Sequence, residues 1–110
     1  MSRLLYRTIA VSGSSMSPTY NDGDWLLFVA LPPVVMGKPL RLVGKVVVIE
    51  RENYPGIYFI KRVIRADKTG LWVEGDNTEA STDSRQWGSI GPTEIVGRIL
   101  LRYKRRKPSE

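Results

Sequence analysis

A chain of 110 residues, 42% hydrophobic and 25% charged, has the make-up of one globular domain with a modest core, which excludes a disordered chain and leaves no room for a second domain. It holds no histidine and no cysteine, which excludes a Ser-His-Asp triad, a Cys-His pair, disulfides and any zinc site built from those ligands. The formal net charge of +6 crowds toward Arg102, Lys104, Arg105, Arg106 and Lys107, and reads as a solvated basic tail over 104–110 behind a core of residues 1–103.

Taken in chain order, β-branched Thr8 to Val11 predicts a first strand that runs into the Gly13/Ser14 break, so Ser15 lies just past a strand end. The hydroxyl-rich stretch Ser12-Gly13-Ser14-Ser15-Met16-Ser17-Pro18-Thr19 is where a nucleophile is expected; its plainer reading is a Ser-rich turn. Asn21-Asp22-Gly23-Asp24 is a turn by Asx chemistry, and Trp25 to Val29 is a second strand. Pro32, Pro33, Gly37 and Pro39 mark an extended loop. The longest apolar run, Trp25 to Met36, is broken by Pro32-Pro33 and falls short of the roughly 20 residues of a spanning helix. Residues Met1 to Arg7 lack the apolar segment of a secretory signal. A cytoplasmic chain is expected, at most peripheral at a membrane through Trp25 to Met36.

Without histidine, a serine nucleophile needs a lysine or a carboxylate as its base, and a lysine serves only if burial keeps it neutral. Lys45 to Glu50 carries four consecutive apolar residues, the pattern of a strand covered on both faces. Asn53-Tyr54-Pro55-Gly56 turns the chain into a strand from Ile57 to Arg65. Its alternation sets Ile57, Phe59, Lys61 and Val63 on one face and Tyr58, Ile60, Arg62 and Ile64 on the other. Lys61, between Phe59 and Val63, is the lysine whose charged form loses solvation. Taken alone it reads as a strand lysine that snorkels to solvent.

After Asp67-Lys68-Thr69-Gly70, Leu71 to Glu74 closes a hairpin on that strand. Gly75 to Arg85 is polar throughout and dense in groups that bond to backbone, the signature of a structured loop. A short turn at Thr93 to Ile95 and a strand over Val96 to Tyr103 end the chain. No repeat and no sustained helical period is present, so the class is mainly β, a single compact domain of coiled antiparallel sheets.

Ser15-Met16-Ser17-Pro18-Thr19, Gly23-Asp24, Lys61-Arg62-Val63-Ile64, Gly75-Asp76-Asn77 and Ser81-Thr82-Asp83-Ser84-Arg85 with Gly88 resemble, in that order, the boxes of the signal peptidase I family of Ser-Lys proteases. The resemblance implies the catalytic core that this family shares with LexA-type repressors. It implies Ser15 as nucleophile, Lys61 as general base and Ser81 as the hydroxyl that orients the lysine, with Asp83, Arg85, Arg62, Asp76 and Asn77 as structural support. The Ser15 backbone N–H would hold the oxyanion. Some members place a serine where this chain has Gly13, so Ser14, Ser12 or another backbone N–H is left as second donor. No cofactor and no metal is implied.

Two further departures bear on function. The insertion that larger members carry before the Gly-Asp-Asn box is reduced to a hairpin, and the family's N-terminal membrane anchor is not seen. Short members of this kind resemble the nickel-type superoxide dismutase maturation protease, so the expected partner is a precursor protein with an N-terminal leader, and the expected reaction is endoproteolytic removal of that leader. A membrane-associated signal peptidase acting on secretory signal peptides is the alternative. A self-cleaving LexA-type repressor needs a DNA-binding domain for which no residues remain before Ser15. A non-catalytic nucleic-acid-binding β domain is the rival of another class, but Trp25, Trp72 and Trp87 are scattered and the charge is terminal, so no nucleic acid is expected.

Overall fold

The computed structural model describes residues 5–30 and 38–105. Six strands, β1 (Leu5–Ala10), β2 (Trp25–Ala30), β3 (Val46–Glu50), β4 (Tyr58–Asp67), β5 (Gly70–Glu74) and β6 (Ile95–Lys104), form one sheet in the order β1-β2-β6-β3-β4-β5. Every neighbouring pair is antiparallel. The chain is mainly β, as expected, and among the described residues the strands make one six-stranded antiparallel sheet.

The core follows from β3. Val46 and Val48 point into a cluster with Met16, Leu26, Phe28, Ile60 and Ile99. Val47 and Ile49 point to the opposite face, into a cluster with Val63, Leu71, Val73 and Ile95. Both faces of β3 are therefore covered, as its unbroken apolar run predicts, and full burial of each such side chain contributes about 1.5–3 kcal/mol. Val47 pairs with Lys61 across the β3–β4 ladder, and directly paired residues share a face. The lysine thus sits on the side of Phe59 and Val63, where the alternation of β4 places it.

Two features of the fold escape simple periodicity. Residues Ser84–Trp87 form one helical turn, α1, too short to show a 3.6-residue period. Asp83 caps it: its carboxylate accepts the Arg85 amide at 3.1 Å, while the Gln86 side chain accepts the Asp83 amide at 2.9 Å. The second feature lies in β6. Leu27 pairs with Leu101 but Phe28 pairs with Ile99, so Leu100 is an extra residue, a bulge. Strict alternation from Ile99 would turn Leu101 inward and Arg102 outward. The bulge reverses this: Leu101 is exposed, and Arg102 pairs with buried Leu26.

Arg102 thus lies within the closing strand, as expected, and the bulge sets which way it faces. β6 itself continues to Lys104. The Pro32, Pro33 and Gly37 loop signals, the Leu31 to Met36 part of the apolar run, and Arg106 and Lys107 lie outside the described residues. Among those described, Trp25 is 38% exposed while Leu26 and Phe28 are buried, and no helix is long and apolar enough to cross a membrane.

Candidate active site

Ser15 lies in the connection between β1 and β2. The base of that connection is stitched by backbone bonds from Val11 N to Asp24 O and from Gly23 N to Val11 O, both 2.8 Å. Inside it, Gly13 N donates to Asp22 Oδ1 at 2.8 Å, which occupies the Gly13 amide. The Ser15 and Ser14 amides donate to no acceptor among the described residues. Met16, only 1% exposed, anchors the turn in the core next to Ser15.

Lys61 reaches the same place from β4. It is 4% exposed, and burial pushes its amine below the ordinary 10.5, against the attraction of Asp83 and with the help of Arg85. Ser15 and Lys61 line one cavity of about 100 Å³, walled by Ile9, Val11, Tyr58 and Ile60. The hydroxyl and the amine are not hydrogen-bonded to each other. The cavity lies between two unpaired strand edges. Among the described residues β1 pairs only with β2, and β5 begins to pair with β4 only at Arg62, leaving Tyr58 to Lys61 without a described neighbour on that side.

A relay of hydrogen bonds fixes the amine. Lys61 Nζ donates to Ser81 Oγ at 2.9 Å, and Ser81 Oγ donates to Asp83 Oδ2 at 2.6 Å. A hydroxyl has a single hydrogen. Because that of Ser81 is given to Asp83, its oxygen can only accept from the lysine. Asp83 is fully buried and also accepts from Gly75 N at 2.9 Å and from Arg85 Nε and Nη2 at 3.0 and 2.8 Å. Burial would raise its carboxyl, but the bonds from Arg85, Ser81 and the Gly75 and Arg85 amides outweigh it and hold the acid well below 3.8.

The Asp76-Asn77 pair braces the serine loop across the molecule. Asn77 N donates to Ser15 O at 2.8 Å and Asn77 Nδ2 to Ser14 O at 3.0 Å. Asp76 accepts Thr19 Oγ1 at 2.6 Å and both arms of the Arg62 fork, Nε at 2.9 Å and Nη2 at 2.8 Å. Gly75 is where the strands of this construction meet. A Cβ there would run into the Ser81 hydroxyl and come within 2.6 Å of the Ser15 carbonyl oxygen. Thr19, Gly75 and Arg102 are the contributors that residue-type reasoning did not single out as site residues. The first two stand inside motifs, whereas Arg102 is hidden by the β6 bulge.

A larger cavity, about 580 Å³, lies between Lys38–Arg41 and Ala66–Lys68 at the far end of β4 and contains no serine. Among the described residues no group of three or more His, Cys, Asp or Glu could hold a metal ion.

The family described as signal peptidase, peptidase S26, matches residues 1–66 and 65–104. The chain belongs to this family. Its relatives include mitochondrial inner membrane protease subunit 1 of Xenopus tropicalis, 31% identical over 114 residues, a match covering 86% of this chain and 66% of the relative. The mitochondrial ATP-independent inner membrane protease subunit 1a of Arabidopsis thaliana is 32% identical over 120 residues, covering 91% and 71%. Subunit 1 of the Mus musculus protease is 32% identical over 114 residues, covering 86% and 67%. This S26 peptidase chain spans about two thirds of the length of these relatives.

Proposed function

We propose that the chain is a serine endopeptidase that uses Ser15 and Lys61 to remove an N-terminal leader from a precursor protein. The observation that carries this reading is the shared cavity: a serine hydroxyl and a desolvated lysine amine line it together, and the amine is held by Ser81. Neutral Lys61 takes the Ser15 Oγ proton as Oγ bonds to the peptide carbonyl carbon. The resulting ammonium returns the proton to the leaving amine as the C–N bond breaks. Water, deprotonated by the same amine, then releases the acyl group. The gap between hydroxyl and amine is ordinary for a site without substrate.

With no acceptor among the described residues, the Ser15 amide can donate to the oxyanion and the Ser14 amide can serve as the second donor, whereas the Gly13 amide is taken by Asp22. An extended substrate fits between the unpaired edges of β1 and Tyr58 to Lys61 by main-chain pairing, a mode that needs no particular substrate side chain. Ser81, Asp83 and Arg85 orient the base; Arg62, Asp76 and Asn77 seat the serine loop.

Two precursor classes follow from different observations. Similarity of the Glu79–Arg85 and Val96–Tyr103 segments to the nickel-type superoxide dismutase maturation protease supports a soluble precursor in the cytoplasm. The names of the matched relatives, inner membrane proteases, support a precursor presented at a membrane. N-terminal sequencing of soluble and membrane proteomes from cells carrying wild type, Ser15→Ala or Lys61→Ala separates them. Termini lost in both variants identify the precursor and its compartment. Identical termini in all three strains would contradict the peptidase reading.

A further inference from the structure

Arg102 is drawn into the sheet by the β6 bulge, and its guanidinium has specific work there. Nη1 donates to Thr19 O at 3.0 Å and to Asp24 Oδ2 at 3.2 Å, and the guanidinium carbon stands 5.9 Å from the Tyr20 ring centre. Asp24 is 3% exposed, and its carboxylate also accepts the Asn21 amide at 2.9 Å. One arginine from the last strand therefore grips both ends of the segment 19–24 that returns the chain from Ser15 to β2.

Thr19 is held twice, from opposite directions. Its carbonyl is bound by Arg102, while its hydroxyl is bound by Asp76, which in turn takes the fork of Arg62. Arg62 is the residue next to Lys61. A continuous set of contacts thus runs from the strand that carries the amine, through Asp76 and Thr19, to β6. The Ser15 turn has few bonds of its own, Ser17 N to Ser14 O at 3.1 Å and Tyr20 N to Met16 O at 2.9 Å. Its placement relative to Lys61 is therefore shared between the Asn77 bonds to the Ser14 and Ser15 carbonyls and these anchors at Thr19.

We propose that Arg102 is a positioning residue for the peptidase reaction, setting the distance between the Ser15 hydroxyl and the Lys61 amine by seating Thr19 from the β6 side. The proposal rests on the Ser15–Lys61 reading. A shift of about 1 Å between reacting groups costs on the order of a hundredfold in rate. Loss of the anchor should therefore slow acylation without changing how the probe binds. Both bonds come from one nitrogen, so a lysine ammonium, with three donors at one point, should substitute for most of the effect.

The test is pre-steady-state acylation of the full chain by 4-nitrophenyl acetate, a small ester that does not depend on leader recognition, with folding of each variant checked by thermal denaturation. Arg102→Ala should lower the maximal acylation rate roughly ten- to hundredfold with half-saturation within about threefold of wild type, and Arg102→Lys should recover to within about fivefold. Should the alanine variant not fold, Arg102→Gln replaces it, with the same expected loss. A folded Arg102→Ala or Arg102→Gln that acylates at the wild-type rate overturns the proposal, and so does an equal loss in Arg102→Lys. Ser15→Ala separates the two levels. If it still acylates normally, the dyad itself has failed and the positioning role falls with it. If it is inert while Arg102→Ala reacts at full rate, only the positioning role has failed.

Discussion

Lys61 donates to Ser81 across 2.9 Å, and it can only donate, because the Ser81 hydrogen is committed to Asp83 at 2.6 Å. One N–H of the amine is thereby fixed toward Ser81, and the lone pair of the neutral amine is then one of the two remaining positions that can face the cavity shared with Ser15. Ser81→Ala removes the acceptor and frees the amine to rotate. Turnover should fall about a hundredfold at nearly unchanged KM, and Ser81→Thr, which keeps the hydroxyl, should lose less. Steady-state kinetics on a cleaved leader peptide reads both. Equal turnover in wild type and Ser81→Ala would remove Ser81 from the site.

The pH dependence has a definite sign. A base must be unprotonated to act, so the rate should rise with pH through the folded-state pKa of Lys61 and level off above it. Burial lowers that pKa, so the midpoint should lie below 10.5. A pH–rate profile that starts to climb only at 10.5 or above would contradict a desolvated base.

The same shift makes Lys61 a liability to stability. Its folded pKa lies below the 10.5 of the unfolded chain, so unfolding takes up a proton between the two values, and stability rises with pH across that window. Lys61→Met removes this penalty. The variant should unfold at a higher temperature than wild type at neutral pH, with an advantage that shrinks as pH approaches 10.5. Thermal denaturation at both pH values tests the trend.

Asp83 acts in the opposite sense. Its carboxyl is held well below 3.8, so its contribution is complete above 3.8 and is lost as pH falls through the lower folded value. Asp83→Asn breaks charge-assisted bonds to Arg85 and Ser81 in a fully buried position, and should cost about 3 kcal/mol at pH 7. In urea denaturation the difference from wild type should narrow at pH 3. A constant difference across that range would place the stabilisation elsewhere.

Gly75→Ala tests the geometry of the site without touching any reacting group. The added methyl would press on the Ser81 hydroxyl and on the Ser15 carbonyl, 2.6 Å away, so relieving it displaces nucleophile and base support together. Activity should drop by more than about a hundredfold in a chain that still folds. A folded Gly75→Ala with full activity would show that the two serines need not be held this closely.

Much of this was legible in the residues because composition removed the alternatives. Without histidine or cysteine only a lysine or a carboxylate could serve a serine, and the period of β4 put Lys61 between Phe59 and Val63 on a covered face. The apolar run Val46–Ile49 announced its own two-sided burial. What sequence could not show is long-range: the bonds from Asn77 to the Ser14 and Ser15 carbonyls span more than 60 residues, and no local pattern encodes them. The facing of Arg102 was hidden for a physical reason, since an inserted Leu100 reverses inside and outside at Leu101 and Arg102.

Locating the acyl group itself distinguishes Ser15 from every other hydroxyl of the loop. The chain is acid-quenched during turnover of 4-nitrophenyl acetate and mapped by peptide mass spectrometry, alongside Ser15→Ala and Lys61→Met. Acetylation is expected on Ser15 in wild type, none in Ser15→Ala, and at most trace modification in Lys61→Met, where the nucleophile is present but its base is gone. Acetylation that persists in Ser15→Ala, or that maps to Ser14 or Ser17 in wild type, would contradict the Ser15–Lys61 reading.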